Sequence, residues 1–465
     1  MSDFSAVFTR LHPLVRQHRA VWRRSREAYS GGREYIDQSL VKHVSEVSLE
    51  FMERKQRAYY FNYPRKIARI IAQFLLSEDP QRNHADPMLV EDFSRSGLRV
   101  GEVMRQMATY VNCFGLAWLM VDMPGFAGEL DLERKRNEAI RPYARALQPW
   151  EVPDWAYGAD GKLDWAIVEE MAVDRHDPFA EPERIRRRRL WTRDGWQLFQ
   201  LDGEGQVRLV GAAAHGLGAV PLIRGEEADG FGMHANHWFE DVVRISDAIL
   251  NAESEAQMNI IKQMFGLLVV SESFRTSDFT ARDTVEGEKF SHVLARSAAL
   301  WESPEEKGIT RYISPGGANT ETIRSEIVSL KKELFDVVGL GVRNDSGDAQ
   351  TAEAKAWDHY NVSQFLLSRV DMLEQTEVRA WELMHGWDPT VTIPAISYNR
   401  EFSIVDLKDS IAALLNLNSF APTGEFHREV SRAALKLLGR IKKIAPDIQA
   451  KIEQEITAGD TIRTV

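Results

Sequence analysis

The stretch from His237 to Trp387 constrains the fold more than any other part of the chain. Trp238, Val242, Ile245, Ile249, Ala252, Ala256, Ile260 and Met264 step by three or four residues, one continuous apolar stripe along a helix. At 1.5 Å per residue such a helix spans roughly 40 Å. Glu240 and Asp241 fall in its first turn, where the helix dipole favours acids. The strand-like GLLVVSES then opens an excursion over residues 267–318, which also holds HVLARSAALW and ITRYISPGG and closes on Pro315-Gly316-Gly317. Helical spacing resumes over Thr320–Leu340, with Ile323, Ile327, Leu330, Leu334 and Val337/Val338 on one face. The loop GLGVRNDSGDAQ cannot continue that helix, and Thr351–His385 reads as another of about ten turns. Two helices flanking a small excursion describe a shaft with a tip rather than a pocket for catalysis.

Upstream, residues 1–80 read as mainly helical. Phe51–Leu76 carries apolar residues at helical spacing, and Pro64 must kink or split it. Asp86-Pro87 is a helix start, with Asp as cap and Pro in the first turn, and the pattern runs to about Cys113. GLAWLMVDMP reads as a buried strand ended by Pro124, and 125–142 as a charged surface connection. Residues 143–224 alternate apolar and polar positions between turns such as Gly158-Ala159-Asp160-Gly161 and Asp202-Gly203-Glu204-Gly205, an antiparallel β module. Trp387–Phe402 reads as extended, and Ser403–Ile456 as three shorter helices restarted at Thr423 and Pro446. The fold class expected is α+β, mainly helical.

With 465 residues the chain is too long for a single core, so several modules are expected. No apolar run approaches the ~20 residues of a membrane span. The first 26 residues carry charges through their apolar part and no small-residue cleavage site, unlike a secretory signal. The lone cysteine, Cys113, cannot pair internally, which fits a reducing compartment; in its apolar stretch it reads as a small core residue. The net charge of −11 argues against tight DNA binding, which phosphate neutralisation by a basic surplus would drive. If the chain meets DNA it should handle it loosely.

Motifs for catalysis are missing. There is no GxxxxGK[ST]; GADGK at 158–162 lacks the spacing and lies in a hairpin turn, so no ATP-driven motor is indicated. Gly339-Leu340-Gly341 follows a helix, not a strand, so it is no dinucleotide fingerprint, and no G-x-S-x-G elbow occurs. His234, His237, Glu240 and Asp241 are the one cluster that could suggest a metal enzyme, but H-x-x-H is not zinc-protease spacing and no partner cluster accompanies it. These read as polar residues at a helix start, and no metal or other cofactor is expected. The basic run Arg184–Arg189 could serve a DNA-binding factor, or be the solvated or inter-subunit face of a strand next to Glu181 and Glu183. Lys436, Arg440, Lys442 and Lys443 form a second basic set, either a solvated helix face or a contact with packaged polyanion.

In this order of segments the chain resembles the portal proteins of tailed double-stranded DNA bacteriophages. The passages that carry the resemblance are VWRRSREAYSGGREYIDQSL (21–40), RKQRAYYFNYPRKIARIIAQFLLSEDP (54–80), NCFGLAWLMVDMPG (112–125), and the long stretches 220–273 and 317–384. The likeness covers most of the chain and is one of pattern, since portals carry no catalytic signature.

The resemblance implies a wing over 1–236, with the β module at about 143–224, and again over 342–403. It implies stem helices over 237–266 and 319–341, a clip over 267–318, a tunnel loop over 341–351 and a short helical crown over 404–465. Arg343, Asn344, Asp345, Ser346, Asp348 and Gln350 of the loop would then face DNA. Arg275, Asp278, Arg282, Asp283, Glu286, Glu288 and Lys289 of the clip would meet the large terminase subunit or a head–tail adaptor. Trp238, Val242, Ile245, Ile249, Ile260, Ile323, Ile327 and Leu334 would line subunit contacts along the stem. A non-enzymatic ring, usually of twelve copies, is implied at one capsid vertex of the virion, assembled in the host cytoplasm. It would adjoin the major capsid protein and scaffold, with no membrane as a partner, and pass DNA without sequence preference during packaging and ejection. The expectation from the residues is that sister copies cover the greasy stripes of the two stem helices.

Overall fold

Proline sets the starts of the first long helices in the computed structural model. It describes residues 4–44, 46–125, 140–174, 183–203, 205–227, 238–264, 267–271, 299–302, 311–313, 318–338, 352–400, 424–441 and 446–458. Helix α1 is the short Ala6–Thr9, and α2 runs Pro13–Ser30 with Pro13 in its first turn and His12 Nδ1 accepting the Leu14 N–H at 3.2 Å. Helix α3 is Arg33–Ser39, α4 Ser48–Arg57 and α5 Tyr63–Leu75. The Phe51–Leu76 pattern is thus split where Pro64 required it, with the Asn62 side chain capping α5 through the Arg65 N–H at 2.9 Å.

Strand β1 is Gln81–Asn83 and α6 is Pro87–Glu91. Asp86 caps α6 as its sequence requires, but the helix does not reach Cys113; a new one, α7, spans Val100–Phe114. The break has a local cause. Asp92 Oδ1 accepts the Gly97 N–H at 2.9 Å, Ser94 Oγ accepts the N–H groups of Ser96 and Leu98, and Gly97 adopts φ +86°. Short polar side chains here offer the backbone better partners than another helical turn. Helix α7 ends in the left-handed Gly115, φ +72°.

Strand β2, Leu116–Asp122, is buried at every position. It is the middle of a three-stranded antiparallel sheet between β3 (Tyr143–Leu147) and a strand much later in the chain. Between them a five-stranded antiparallel sheet is built in simple order from β4 (Asp154–Tyr157), β5 (Leu163–Asp174), β6 (Glu183–Thr192), β7 (Gly195–Leu201) and β8 (Val207–Ala214). The closing partner of β2 is β9, Leu222–Glu226. The expected module over 143–224 is therefore antiparallel throughout, yet its first strand belongs to the β2 sheet. Alternation reports that a strand is half-buried, not which neighbour it pairs with.

Helix α8 is Trp238–Met264, followed by β10 (Leu267–Ser271), β11 (Ala299–Glu302) and β12 (Arg311–Ile313). These three strands form one small sheet, β10 lying parallel to β11 and antiparallel to β12. Helix α9, Ala318–Val337, and the 36-residue α10, Ala352–Trp387, complete the expected order. Strand β13, Ala395–Ser397, pairs with β1. The chain divides into two compact units, Met1–Arg400 and Glu401–Val465; the second contains α11 (Gly424–Ile441) and α12 (Pro446–Ala458), the latter starting at the expected proline. Residues 401–423, where a further helix was expected, lie outside the described residues. No helix among the described residues is long and apolar enough to cross a membrane.

The core of the first unit lies where α7 and α10 pack on the β2 sheet. At Gly225 the two helices come close: a Cβ there would meet Met107 Cε at 2.4 Å and Met372 Sδ at 3.0 Å, so both methionines would have to shift. Trp22 of α2, fully buried, donates its indole N–H to the Phe114 carbonyl at 2.9 Å, and Trp387 donates to Val121 at 3.2 Å. Farther along α10, Glu377 is wholly buried and accepts from the Arg82 guanidinium at 2.5 and 3.0 Å, the Tyr398 hydroxyl at 2.5 Å and the Trp381 indole at 3.3 Å. That carboxylate ties Arg82 of β1 and Tyr398, the residue just after β13, to the long helix.

Candidate functional site

Helices α8 and α9 pack side by side and run in opposite directions, because Gln263 bonds Thr320 at 2.6 Å while Glu253 bonds Lys331 at 3.0 Å. The apolar stripe that sequence assigned to sister copies is largely covered by the chain itself. Val242, Ile249, Ile327 and Leu334 are buried in one subunit, and Trp238, Ile245, Ile260 and Ile323 are half-buried. The N-terminal helices do much of the covering, for α2, α3, α4 and α5 all pack against α8. A helical stripe identifies a face that must be hidden; it does not name what hides it.

Polar contacts fix α8 in this bed. Asp247 accepts from Arg24 at 2.7 Å and from the Tyr35 hydroxyl at 2.5 Å. Asn251 accepts the Val41 N–H at 2.8 Å, and the buried Arg54, which grips Glu46 at 2.8 Å, reaches Ser254 at 3.4 Å. Burial, with Asp247 alongside, pushes the Tyr35 phenol upward; Tyr60 is pushed up to about 12, again mainly by burial. At the start of α8 the Trp238 indole donates to Glu227 at 3.2 Å. Glu227 also takes the buried Arg369 of α10 at 2.6 Å, and Arg369 lies 3.5 Å over the Phe365 ring. One end of the helix is therefore tied to α10 and its middle to α2 and α3.

Among its described arginines, Arg186–Arg189, the basic run presents no free cationic face. In register, Glu169 of β5 opposes Arg188 of β6 and Glu170 opposes Arg187. Arg188 is 5% exposed; it meets Glu169 at 3.2 Å, donates to the Val7 carbonyl at 2.9 Å and lies over Phe8. Arg186 shares Glu169 at 3.2 Å, Arg189 bonds Glu170 at 3.3 Å, and Arg187 bonds Gln200 at 3.0 Å. Burial drives the Arg188 guanidinium below its usual value, the opposite of what an open phosphate-binding arginine would show. The Arg184 side chain lies outside the described residues.

The other sites expected from sequence divide the same way. All the tunnel-loop residues (Arg343, Asn344, Asp345, Ser346, Asp348, Gln350) and all the clip residues (Arg275, Asp278, Arg282, Asp283, Glu286, Glu288, Lys289) lie outside the described residues, as do His234, His237, Lys442, Lys443 and the side chains of Lys436 and Arg440. Glu240 is engaged with Arg244 at 2.5 Å, and Asp241 is exposed. Among the described residues no group of three histidine, cysteine or acidic side chains could hold a metal. Cys113 is buried, and burial pushes its thiol upward, away from the reactive thiolate.

Two surfaces escaped the sequence reading. Val41, Val44, Val47, Leu49 and Met52 are exposed along the segment that enters and forms α4, Val44 completely so. Spacing by three within VKHVSEVSLEFM was the available signal, hidden by the polar residues between. The second is a trough of about 750 Å³ where α2, α5 and α7 meet, lined among others by Arg26, Arg69, Arg105, Tyr29, Tyr110 and Glu102. It is cationic, with no activated nucleophile, and suits the holding of an anion rather than covalent chemistry.

No family model matches this chain, and no curated protein matches it significantly. Among solved structures it is similar to the neck of a native GTA particle computed with C12 symmetry, at 11% identity over 79% of this chain and 89% of that one, with a TM-score of 0.42. It is also similar to the neck of an empty GTA particle computed with C6 symmetry, at 10% identity over 84% and 89%, with a TM-score of 0.38.

Proposed function

We propose that this chain is a head–tail connector of a tailed phage particle, and specifically a portal: a ring of identical subunits at one capsid vertex that passes double-stranded DNA and performs no catalysis. The observation that carries this reading is the antiparallel α8–α9 pair with the small β10–β11–β12 sheet between its two helices in the chain, followed by the 36-residue α10. A conduit needs a shaft that keeps its shape, and α8 is pinned along its length by Glu227, Asp247, Asn251 and Ser254. It also needs walls that release their cargo. The chain is acidic overall, and Arg186–Arg189 of its densest basic run are engaged by Glu169, Glu170, Gln200 and the Val7 carbonyl.

The exposed apolar side chains from Val41 to Met52 support association, since patches of this kind on soluble chains commonly mark protein contacts. In this reading the small sheet belongs to the clip, on which the large terminase subunit docks during packaging and an adaptor docks afterwards. The loop after α9 faces DNA, and twelve copies close the ring. Negative-stain imaging of the purified chain tests it. Rings with a central hole are expected. Monomers or closed dimers alone, over a wide range of concentration and salt, would remove the proposal.

A further inference from the structure

Arginines in the described residues are for the most part matched by carboxylates or carbonyls: Arg24 by Asp247, Arg54 by Glu46, Arg82 by Glu377, Arg141 by Asp92 and Arg369 by Glu227. Arg26, Arg69 and Arg105 are not, although Arg26 lies over the Trp150 ring. One comes from each of α2, α5 and α7; all three are exposed, none is in an ion pair among the described residues, and all line the same trough. Against their three positive charges the trough offers one carboxylate, Glu102. Like charges gathered with too few carboxylates to match them raise the energy of the folded chain, and an incoming anion relieves it.

A matching anionic face exists on the same chain. Glu326, Glu333 and Asp336 of α9 are exposed, none is in an ion pair among the described residues, and their spacing puts them on one side of the helix. The two surfaces are separate. The trough is lined by no residue of α8 or α9, while α2 and α5, which form part of its wall, also pack against α8. A contact between two different surfaces of identical chains is heterologous, the kind that closes into a ring when its rotation permits.

We infer that the Arg26–Arg69–Arg105 trough of one subunit receives the Glu326–Glu333–Asp336 face of the next. This rests on the ring reading above and adds the pairing of surfaces that sets its direction. The charge match supplies orientation among chains that are otherwise mutually repelling.

The test uses two full-length variants, Arg69→Glu with Arg105→Glu and Glu326→Lys with Glu333→Lys, checked for native circular dichroism and followed by sedimentation velocity. Each alone sets like charge against like, so half-assembly should require roughly ten-fold more protein, or rings should vanish. Mixed one to one, trough and helix become complementary at every contact, and rings of alternating composition should return. Rings from both variants identical to the parent would overturn the pairing while leaving the ring reading intact. Separately, normal rings from the arginine variant together with lost retention of duplex DNA would assign the trough to DNA and overturn it too. A parent chain that never assembles would remove the ring reading itself.

Discussion

The Tyr35 hydroxyl donates to Asp247 at 2.5 Å, tying the middle of α8 to α3 across 212 residues of sequence. Arg24 takes the other carboxylate oxygen at 2.7 Å and also bonds Ser39 at 2.8 Å. Asp247→Ala therefore leaves a guanidinium and a buried phenol without their acceptor. A loss of about 1–3 kcal/mol is expected from urea unfolding, with Asp247→Asn costing less because it keeps one acceptor.

Glu377 is the more demanding position, since its carboxylate is wholly buried and every partner points at it. Glu377→Ala strands the Arg82 charge and is expected to cost about 3–5 kcal/mol. Hydrogen exchange should accelerate first in the Gln81–Asn83 and Ala395–Ser397 ladder, which contains Arg82 and ends just before Tyr398.

Some of this was legible in the sequence because its signals are local. The Trp238–Met264 stripe, the split at Pro64 and the Pro446 restart each rest on spacing or on a proline within a few residues. What was not legible depends on distant partners. Tyr143–Leu147 alternates like a strand of the five-stranded sheet but pairs with β2, and Val242 and Ile249 look like contact residues until α2 to α5 fold over them. The trough could not be read at all. Arg26, Arg69 and Arg105 are unremarkable polar positions on three helices until packing brings them to one place.

Alkaline pH should weaken the fold. Tyr35, Tyr60, Tyr143 and Tyr398 are all raised, chiefly by burial, with Tyr60 and Tyr143 at about 12. Below about pH 10 folded and unfolded chains both keep these protons, and stability is unaffected. Between about pH 10 and about pH 12 the unfolded chain loses protons that the folded one retains, so stability falls. Denaturant midpoints measured across that window should drop, and Tyr60→Phe should reduce the drop by about 1–2 kcal/mol.

Neighbouring arginines on β6 should behave differently. Arg188→Ala loses the Glu169 pair, the Val7 carbonyl and the Phe8 ring, and should destabilise by about 2–3 kcal/mol. Arg186, about half exposed, should cost under about 1 kcal/mol. Fluorescence anisotropy with duplex DNA should show no change for either; a clear loss of binding would return the basic strand to the list of DNA contacts.

Assembly is the claim on which the functional reading stands, and native mass measurement tests it most directly. The account predicts a dominant species at one large, fixed multiple of the 53.0 kDa chain, near twelve, that persists on dilution. A single species at 53.0 kDa, at every concentration and salt tried, would contradict it.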